Sequence, residues 1–180
     1  MEKQDEIASQ RLLKAALEHL ADSPKLAHFF FMMAAEGGQN PVAYYYLGRQ
    51  NFEGLGVDKD VVKGVEYITT SAEKGYTEAS FFLACKYYWG QEVEQDYDKA
   101  YKYALAAAEA GHIEACNLLA DCYVHGHGTK QDSLKGVMWL NTYIERKRAN
   151  DPDFATMMDE DMNEYEYLAD DDFLDAEEEA

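Results

Sequence analysis

The sequence predicts an all-α fold, an α-solenoid in which helical hairpins stack one on the next. The main observation is an internal repeat, because equivalent residues recur 36 positions apart at Ala43, Ala79 and Ala115. A period of about 20 to 50 residues is typical of stacked repeat arrays. The second observation is that apolar residues within each copy recur at helical spacing on both sides of a glycine-containing loop. We therefore expect a single domain over residues 1–169.

The N-terminal stretch 5–42 predicts a degenerate repeat that caps the array. Residues 5–21 have their leucines grouped on one side of a helix, and Pro24 ends that helix because proline cannot continue it. Residues 25–36 then match the second helix of the later copies, with a shortened loop before them.

The three copies 43–78, 79–114 and 115–150 follow one pattern. Each has a first helix, a loop with glycine and a second helix that begins after Asp60, Asp96 or Asp132. Aspartate at this place is typical of an N-cap, where it accepts hydrogen bonds from free backbone N–H groups. A small residue four positions later allows close approach of two helices. Gly75 and Gly111 suit the left-handed position that ends a helix.

The C-terminal stretch predicts a capping helix over 151–169 and an acidic tail over 170–180. Arg146-Lys147-Arg148 lies near the end of a helix, where positive charge suits the helix dipole. Asp151-Pro152 then opens a last helix whose apolar residues are expected to cover the end of the array: Phe154, Met157, Met158, Met162, Tyr165 and Leu168. The tail has too few apolar residues to fold alone, and we expect it to be disordered.

The repeat motif resembles that of the Sel-one-like repeats, a family of tetratricopeptide-like solenoids. In copy 1 it reads Leu47-Gly48, Gly54-x-Gly56-Val57, Asp60-xx-Lys63-Gly64, Tyr67 and Ala72-xx-Gly75. Copy 2 departs from it with Glu92 at the second loop glycine, which leaves the tip of that loop in question, and copy 3 has Thr129 in place of the valine. The resemblance implies a right-handed superhelix that serves as an adaptor or scaffold for other proteins and has no chemistry of its own.

The charge of the chain excludes several classes of partner. The net charge is −19, and residues 151–180 hold 14 of the 35 acidic residues and none of the 16 lysines and arginines. Nucleic acids and anionic membranes are bound through clusters of basic residues, so neither is expected as a partner. No apolar run is long enough to cross a bilayer, and the N-terminus lacks the pattern of a secretory signal. We expect a cytoplasmic protein with reduced cysteines.

The residue types give little support for catalysis or for a metal site. Cys122, His125 and His127 lie close together in the sequence and could bind a metal, but their spacing fits no structural zinc pattern. We prefer the interpretation in which Cys122 is a core residue and the two histidines lie in a loop. No nucleophile and base pair or phosphate-binding glycine loop is present, so we expect no enzyme activity and no cofactor.

A binding surface is predicted on the first helices, which line the concave side of such arrays. If Ala43, Leu47 and Asn51 face the core, the opposite side faces outward. The alternative is that the aromatic residues among them belong to the core. The candidate residues for partner binding are Tyr45, Arg49, Phe52, Phe81, Tyr88, Trp89, Asn117 and Asp121, with Cys85 and Val124 beside them.

Two functions are compatible with these observations. The first is a non-catalytic adaptor that binds a protein or peptide on its concave face. The second is an inhibitor or immunity-type protein whose acidic C-terminus blocks a basic partner such as a nuclease toxin, with Phe173 and Leu174 as apolar contacts. The second predicts a partner with a basic surface.

Overall fold

The fold is a row of helices, and the prediction of an all-α structure is confirmed. The structure, a computed structural model, describes residues 2–158 and, for side chains, residues from 5 onward. Within these residues there is no strand. The helices are α1 (Glu2–His19), α2 (Pro24–Gly38), α3 (Pro41–Glu53), α4 (Val61–Glu73), α5 (Thr77–Trp89), α6 (Tyr97–Glu109), α7 (Ile113–His125) and α8 (Ser133–Asn150). After α8, residues 152–158 are also helical.

The helices pack as four hairpins in a linear order. The most extensive contacts are within the pairs α1 and α2, α3 and α4, α5 and α6, and α7 and α8. Successive hairpins touch where the second helix of one meets the first helix of the next. The chain therefore builds its core stepwise, with Leu47, Leu83 and Leu119 at equivalent fully buried positions.

The predicted helix ends are confirmed. Asp60, Asp96 and Asp132 each accept a hydrogen bond from the backbone N–H three residues later, at 3.0 Å. Gly75 and Gly111 follow the second helices with φ of +87° and +100°, a conformation that residues with a Cβ rarely adopt.

Small residues allow the helices of a hairpin to touch through their backbones. A Cβ on Gly48 of α3 would lie 2.3 Å from Cγ1 of Ile68 and 2.8 Å from the carbonyl oxygen of Gly64, both on α4. In the next hairpin, Ala100 occupies the place of Gly64 and is fully buried. Any larger side chain at these positions would separate the two helices.

The tip of the second loop keeps the conformation of the other loops although it lacks their glycine. Gly56 and Gly128 have φ of +78° and +67°, and Glu92 at the equivalent position has φ of +65°. The carboxylate of Glu92 pairs with Lys59, and Nζ of Lys86 lies 3.9 Å from its other oxygen. The hydrogen bond from Lys59 is the main cause that lowers the pKa of Glu92.

The described chain turns back after α8. Asp151 accepts a hydrogen bond from the backbone N–H of Phe154 at 3.1 Å, and the ring of Phe154 lies 6.5 Å from that of Tyr143. The rest of the predicted capping helix, including Met162, Tyr165 and Leu168, lies outside the described residues, as does the tail 170–180.

Candidate protein-binding surface

Three of the residues predicted to face outward are buried, and that part of the prediction is wrong. The exposed fractions of these residues are 5% for Tyr45, 1% for Phe52 and 6% for Tyr88. A first helix in this array packs against its hairpin partner and also against the next hairpin. The solvent-facing side of a first helix therefore includes fewer residues than the positions of Ala43, Leu47 and Asn51 suggest.

Phe82 of α5 explains the burial of two of these residues. Its ring makes edge-to-face contacts with Tyr45 at 6.1 Å and with Phe52 at 5.4 Å, both on α3. Such aromatic pairs stabilise beyond the area that they bury. The first helices of neighbouring hairpins are thus joined by aromatic side chains.

Arg49 remains at the surface, as predicted. Its Nε donates a hydrogen bond to Oε1 of Glu53 at 2.8 Å, one helical turn later. Burial raises the pKa of the Tyr45 hydroxyl, and the neighbouring Arg49 opposes that rise. The guanidinium of Arg49 therefore interacts with both the buried hydroxyl of Tyr45 and the exposed carboxylate of Glu53.

Phe81 is half-buried because a histidine covers one of its faces. The ring of His112 stacks on it with centroids 4.1 Å apart, and Nε2 of His112 lies 3.3 Å from Oε2 of Glu78. His112 is also the N-cap of α7, where its Nδ1 accepts from the backbone N–H of Ala115 at 3.2 Å.

Trp89 is the large exposed aromatic residue of this surface, with 59% of its side chain accessible. It ends α5 and makes an edge contact with Tyr88 at 4.8 Å. Tyr88 in turn is joined to His127 by a hydrogen bond of 3.1 Å between its hydroxyl and Nδ1. We call Tyr88, Trp89, Tyr97, His125 and His127 the aromatic ledge.

The aromatic ledge is ordered by stacking of two histidines from the fourth hairpin. His127 stacks on Tyr97 with centroids 4.0 Å apart, and His125 stacks on His127 at 5.4 Å. Burial, with a smaller effect of Asp121, raises the pKa of Tyr88 to about 12, so its hydroxyl is neutral at physiological pH. The sequence predicts only a loop position for His127, and the structure adds its contacts with Tyr88 and Tyr97.

The other predicted residues on α7 are accessible in different degrees. Asn117 is exposed, Asp121 is half-buried and Val124 is 36% exposed. Cys85 on α5 is half-buried, and its burial raises the pKa of the thiol to about 11. Phe173 and Leu174 lie outside the described residues.

The side chains of Cys122, His125 and His127 are not arranged around a common metal position. Cys122 is fully buried in the core, which raises the pKa of its thiol to about 12, so it is not a thiolate ready to bind a metal. Nδ1 of His125 is bonded to the carbonyl oxygen of Asp121 at 3.0 Å. Among the side chains that the structure describes, no group of three or more His, Cys, Asp or Glu residues is arranged to hold a metal ion.

Comparison with known proteins identifies the repeat. The Sel1 repeat profile matches residues 41–76, 77–112 and 113–142, which is more than half of the chain. A Sel1 repeat protein from Oxalobacter formigenes has a similar structure, with a TM-score of 0.70 and 24% identity over 77% of this chain and 58% of that one.

A protective antigen of uropathogenic Escherichia coli strains, which displays an SLR fold, is also similar, with a TM-score of 0.71 and 26% identity. The match covers 77% of this chain and 30% of the antigen, so the chain spans less than two thirds of either solved structure. A comparison with curated proteins finds no match. With three matched copies and a shared solenoid structure, the chain belongs to the Sel1 repeat family.

Proposed function

We propose that this chain is a non-catalytic adaptor that binds a protein or peptide partner on the first-helix face, centred on the aromatic ledge. Sel1 repeat proteins generally act as protein–protein interaction modules. The observation that carries the proposal is Trp89, which keeps 59% of its side chain accessible beside ordered aromatic rings.

An exposed tryptophan on a rigid support is well suited to anchor a partner. Tryptophan is enriched among the few residues that dominate binding energy at interfaces. Trp89 ends a helix and rests against Tyr88, whose hydroxyl is held by His127. Little conformational freedom would be lost when a partner covers this ring, which favours tight binding.

The surroundings of the aromatic ledge resemble the polar rim of an interface. Asp121 on α7 lies close enough to Tyr88 to contribute to the raised pKa of its hydroxyl, and the carbonyl oxygen of Asp121 is 3.0 Å from Nδ1 of His125. A central apolar anchor with polar groups around it is the usual arrangement of protein interfaces. We expect the partner segment to bring an apolar side chain to Trp89 and a hydrogen-bond donor to Asp121.

Affinity capture from a lysate of the source cells tests this function. Wild type, Trp89→Ala and Phe29→Ala are compared, since Phe29 is 56% exposed on α2 and provides a matched aromatic control. We expect a set of proteins that is retained by wild type and Phe29→Ala and lost with Trp89→Ala. Both variants should keep the melting temperature of the wild type, because exposed side chains contribute little to stability. Equal capture by wild type and Trp89→Ala would contradict the proposal.

The inhibitor function is a second candidate, which the charge distribution favours. Residues 151–180 hold 14 acidic residues and no lysine or arginine, and Phe173 and Leu174 interrupt the acidic run. A chain that ends at Ala169 separates the two functions. If it binds the captured partner as strongly as the full chain at low and high salt, and the partner stays active, the acidic end is not an inhibitor segment. Exposed charges interact within about 8 Å at physiological salt, so an inhibitory tail would act in a salt-dependent way.

We also propose that the protein acts in a reducing compartment such as the cytoplasm. Cys85, Cys116 and Cys122 are free thiols, and none is paired in a disulfide. In the part of the chain with described helices, none combines the length and apolar character needed to cross a membrane.

A further inference from the structure

A cleft of about 530 Å³ lies between the start of α4 and the loop that joins α5 to α6. Its apolar wall is formed by Val61, Val62 and Val65 of α4, by Val93 of the loop and by Tyr87. The side chain of Val62 is 72% exposed. None of these residues belongs to the aromatic ledge, and the two surfaces are joined by Gln95, which also lines the cleft and donates a hydrogen bond to the hydroxyl of Tyr97 at 3.0 Å.

The cleft lies where the second loop departs from the repeat pattern. In the other copies the loop glycine lies against the first residue of the preceding second helix. A Cβ on Gly56 would lie 2.6 Å from the carbonyl carbon of Pro24, and a Cβ on Gly128 would lie 2.0 Å from the carbonyl oxygen of Tyr97. Val61 is the equivalent of Pro24 and Tyr97, because each begins the second helix of its hairpin.

In copy 2 the place of this glycine is taken by Glu92. It carries a Cβ at the place where the other copies have no room for one. Its carboxylate pairs with Lys59, and Glu92 lines the cleft together with Val61 and Val62. At the corresponding place in copy 1 a hollow of about 610 Å³ is lined by Lys25 of α2 and by loop residues, so it lacks the valine wall of the cleft.

The rim of the cleft is acidic. Among the residues that line it, Asp96 is paired with Lys99 at 2.9 Å and Glu92 with Lys59. Glu66 and Glu94 also line the cleft, and neither has an ion-pair partner among the described residues. An apolar wall with two unpaired carboxylates fits a ligand that is apolar at its centre and positive at its edge.

We propose that this cleft binds an extended segment of a partner protein in which an aliphatic side chain stands next to lysine or arginine. The aliphatic side chain covers Val61, Val62 and Val93, and the cationic neighbours approach Glu66 and Glu94. A cavity of this size holds a few side chains, and pockets of about 300 to 1,000 Å³ are usual for ligands. The site adds a second contact to that of the aromatic ledge and does not depend on it.

Synthetic peptides test the site on the full chain. The probe is the acetylated and amidated pentapeptide Gly-Lys-Leu-Arg-Gly, titrated into ¹⁵N-labelled protein and followed by NMR. Two matched peptides replace either the cationic residues by glutamate or the leucine by glycine. We expect concentration-dependent shifts at the amides of Val61, Val62 and Val93 with the first peptide, and at least about fivefold weaker binding of the other two.

Variants determine whether Glu92 is the cause of the cleft. Glu92→Gly restores the residue of the other loops, so the loop should close on Val61 and the affinity for the peptide should fall at least about fivefold. Val62→Ser should weaken binding, whereas Val137→Ser, at a 52% exposed valine of α8, should not. Circular dichroism checks that each variant is folded.

Each of several outcomes would overturn the proposal. Absence of shifts at millimolar peptide would exclude the site. Equal binding of the glutamate peptide would show that the rim does not select charge. Unchanged affinity of folded Glu92→Gly would show that the cleft does not arise from this residue.

Discussion

Arg146 of α8 donates a hydrogen bond from Nη1 to the carbonyl oxygen of Ala108 at 3.0 Å and lies 3.2 Å from the sulfur of Cys116. One side chain thus joins the last hairpin to the end of α6 and to the core of α7. Sequence reasoning placed Arg146 in a basic cluster that suits a helix dipole. Lys147 and Arg148 are the basic residues in the last turn of α8, and Arg146 has this additional structural contact.

Replacing Arg146 by alanine should destabilise the protein by about 1.5 to 3 kcal/mol, because a hydrogen bond to a charged group is lost and the carbonyl of Ala108 loses a partner. Arg11→Ala is the matched control, since Arg11 is exposed on α1. Urea unfolding followed by circular dichroism measures both. Equal stability of the two variants would show that the hydrogen bonds of Arg146 contribute nothing to the stability of the fold.

Two glycines should respond oppositely to the same substitution. Gly48→Ala should cost about 1 to 3 kcal/mol, because the new Cβ would lie 2.3 Å from Ile68 in a packed interface. Gly37→Ala should stabilise by about 0.5 to 1 kcal/mol, because Gly37 is in α2 and its Cβ would meet nothing within 4 Å. Thermal unfolding of the two variants checks the pair, and destabilisation by both would contradict the close packing of α3 on α4 as the reason for Gly48.

The buried thiol of Cys122 should make the protein less stable at alkaline pH. Its pKa is about 12 in the folded chain and about 8.5 when unfolded, so the unfolded state releases the proton first. The stability that this thiol contributes is complete below pH 8.5 and is lost as pH rises toward 12. Above about pH 9.5 it should lower the free energy of unfolding by up to about 1.4 kcal/mol per pH unit.

The variant Cys122→Ala isolates this effect from other alkaline titrations. It should be less stable at pH 7, because it leaves a cavity, but its stability should fall less steeply between pH 8 and pH 10.5. Urea unfolding at several pH values gives the two slopes. Parallel plots of stability against pH for the wild type and Cys122→Ala would show that Cys122 has the same pKa in the folded and unfolded states.

The end of the array should depend on residues beyond α8. Leu134, Val137 and Met138 are exposed on α8, and residues 152–158 return beside that helix with Phe154 near Tyr143. We expect a chain that ends at Asn150 to melt at lower temperature and to self-associate, and a chain that ends at Ala169 to remain monomeric. Light scattering after size exclusion measures this, and identical behaviour of the two chains would exclude a capping function.

The fold was predictable because its signals are local. Aspartate before a second helix and a small residue where two helices touch act within a few residues and recur every 36 positions, and glycine follows the second helix in the first two copies. Asp60, Asp96 and Asp132 therefore act as caps, as expected from their types.

The candidate surface was less predictable because its side chains meet across hairpins. Tyr45 and Phe52 have the spacing of exposed residues, and only the position of Phe82 in the next hairpin shows that they are buried. His127 lies 39 residues from Tyr88, to which it is bonded. In the sequence, the one signal of the cleft is Glu92. It has a Cβ where the repeat has glycine, and it lies in the loop that borders the cleft.

The order in which helices touch has a consequence for the way the protein acquires its structure. The main contacts join helices that follow each other in the chain, from α1 and α2 through to α7 and α8. Short loops must be closed to form them, so the entropic barrier to folding is low and fast folding is expected. Each hairpin can form as soon as the ribosome has released it, and the next can assemble on its surface. Unfolding can begin at either end and progress inward, one hairpin at a time.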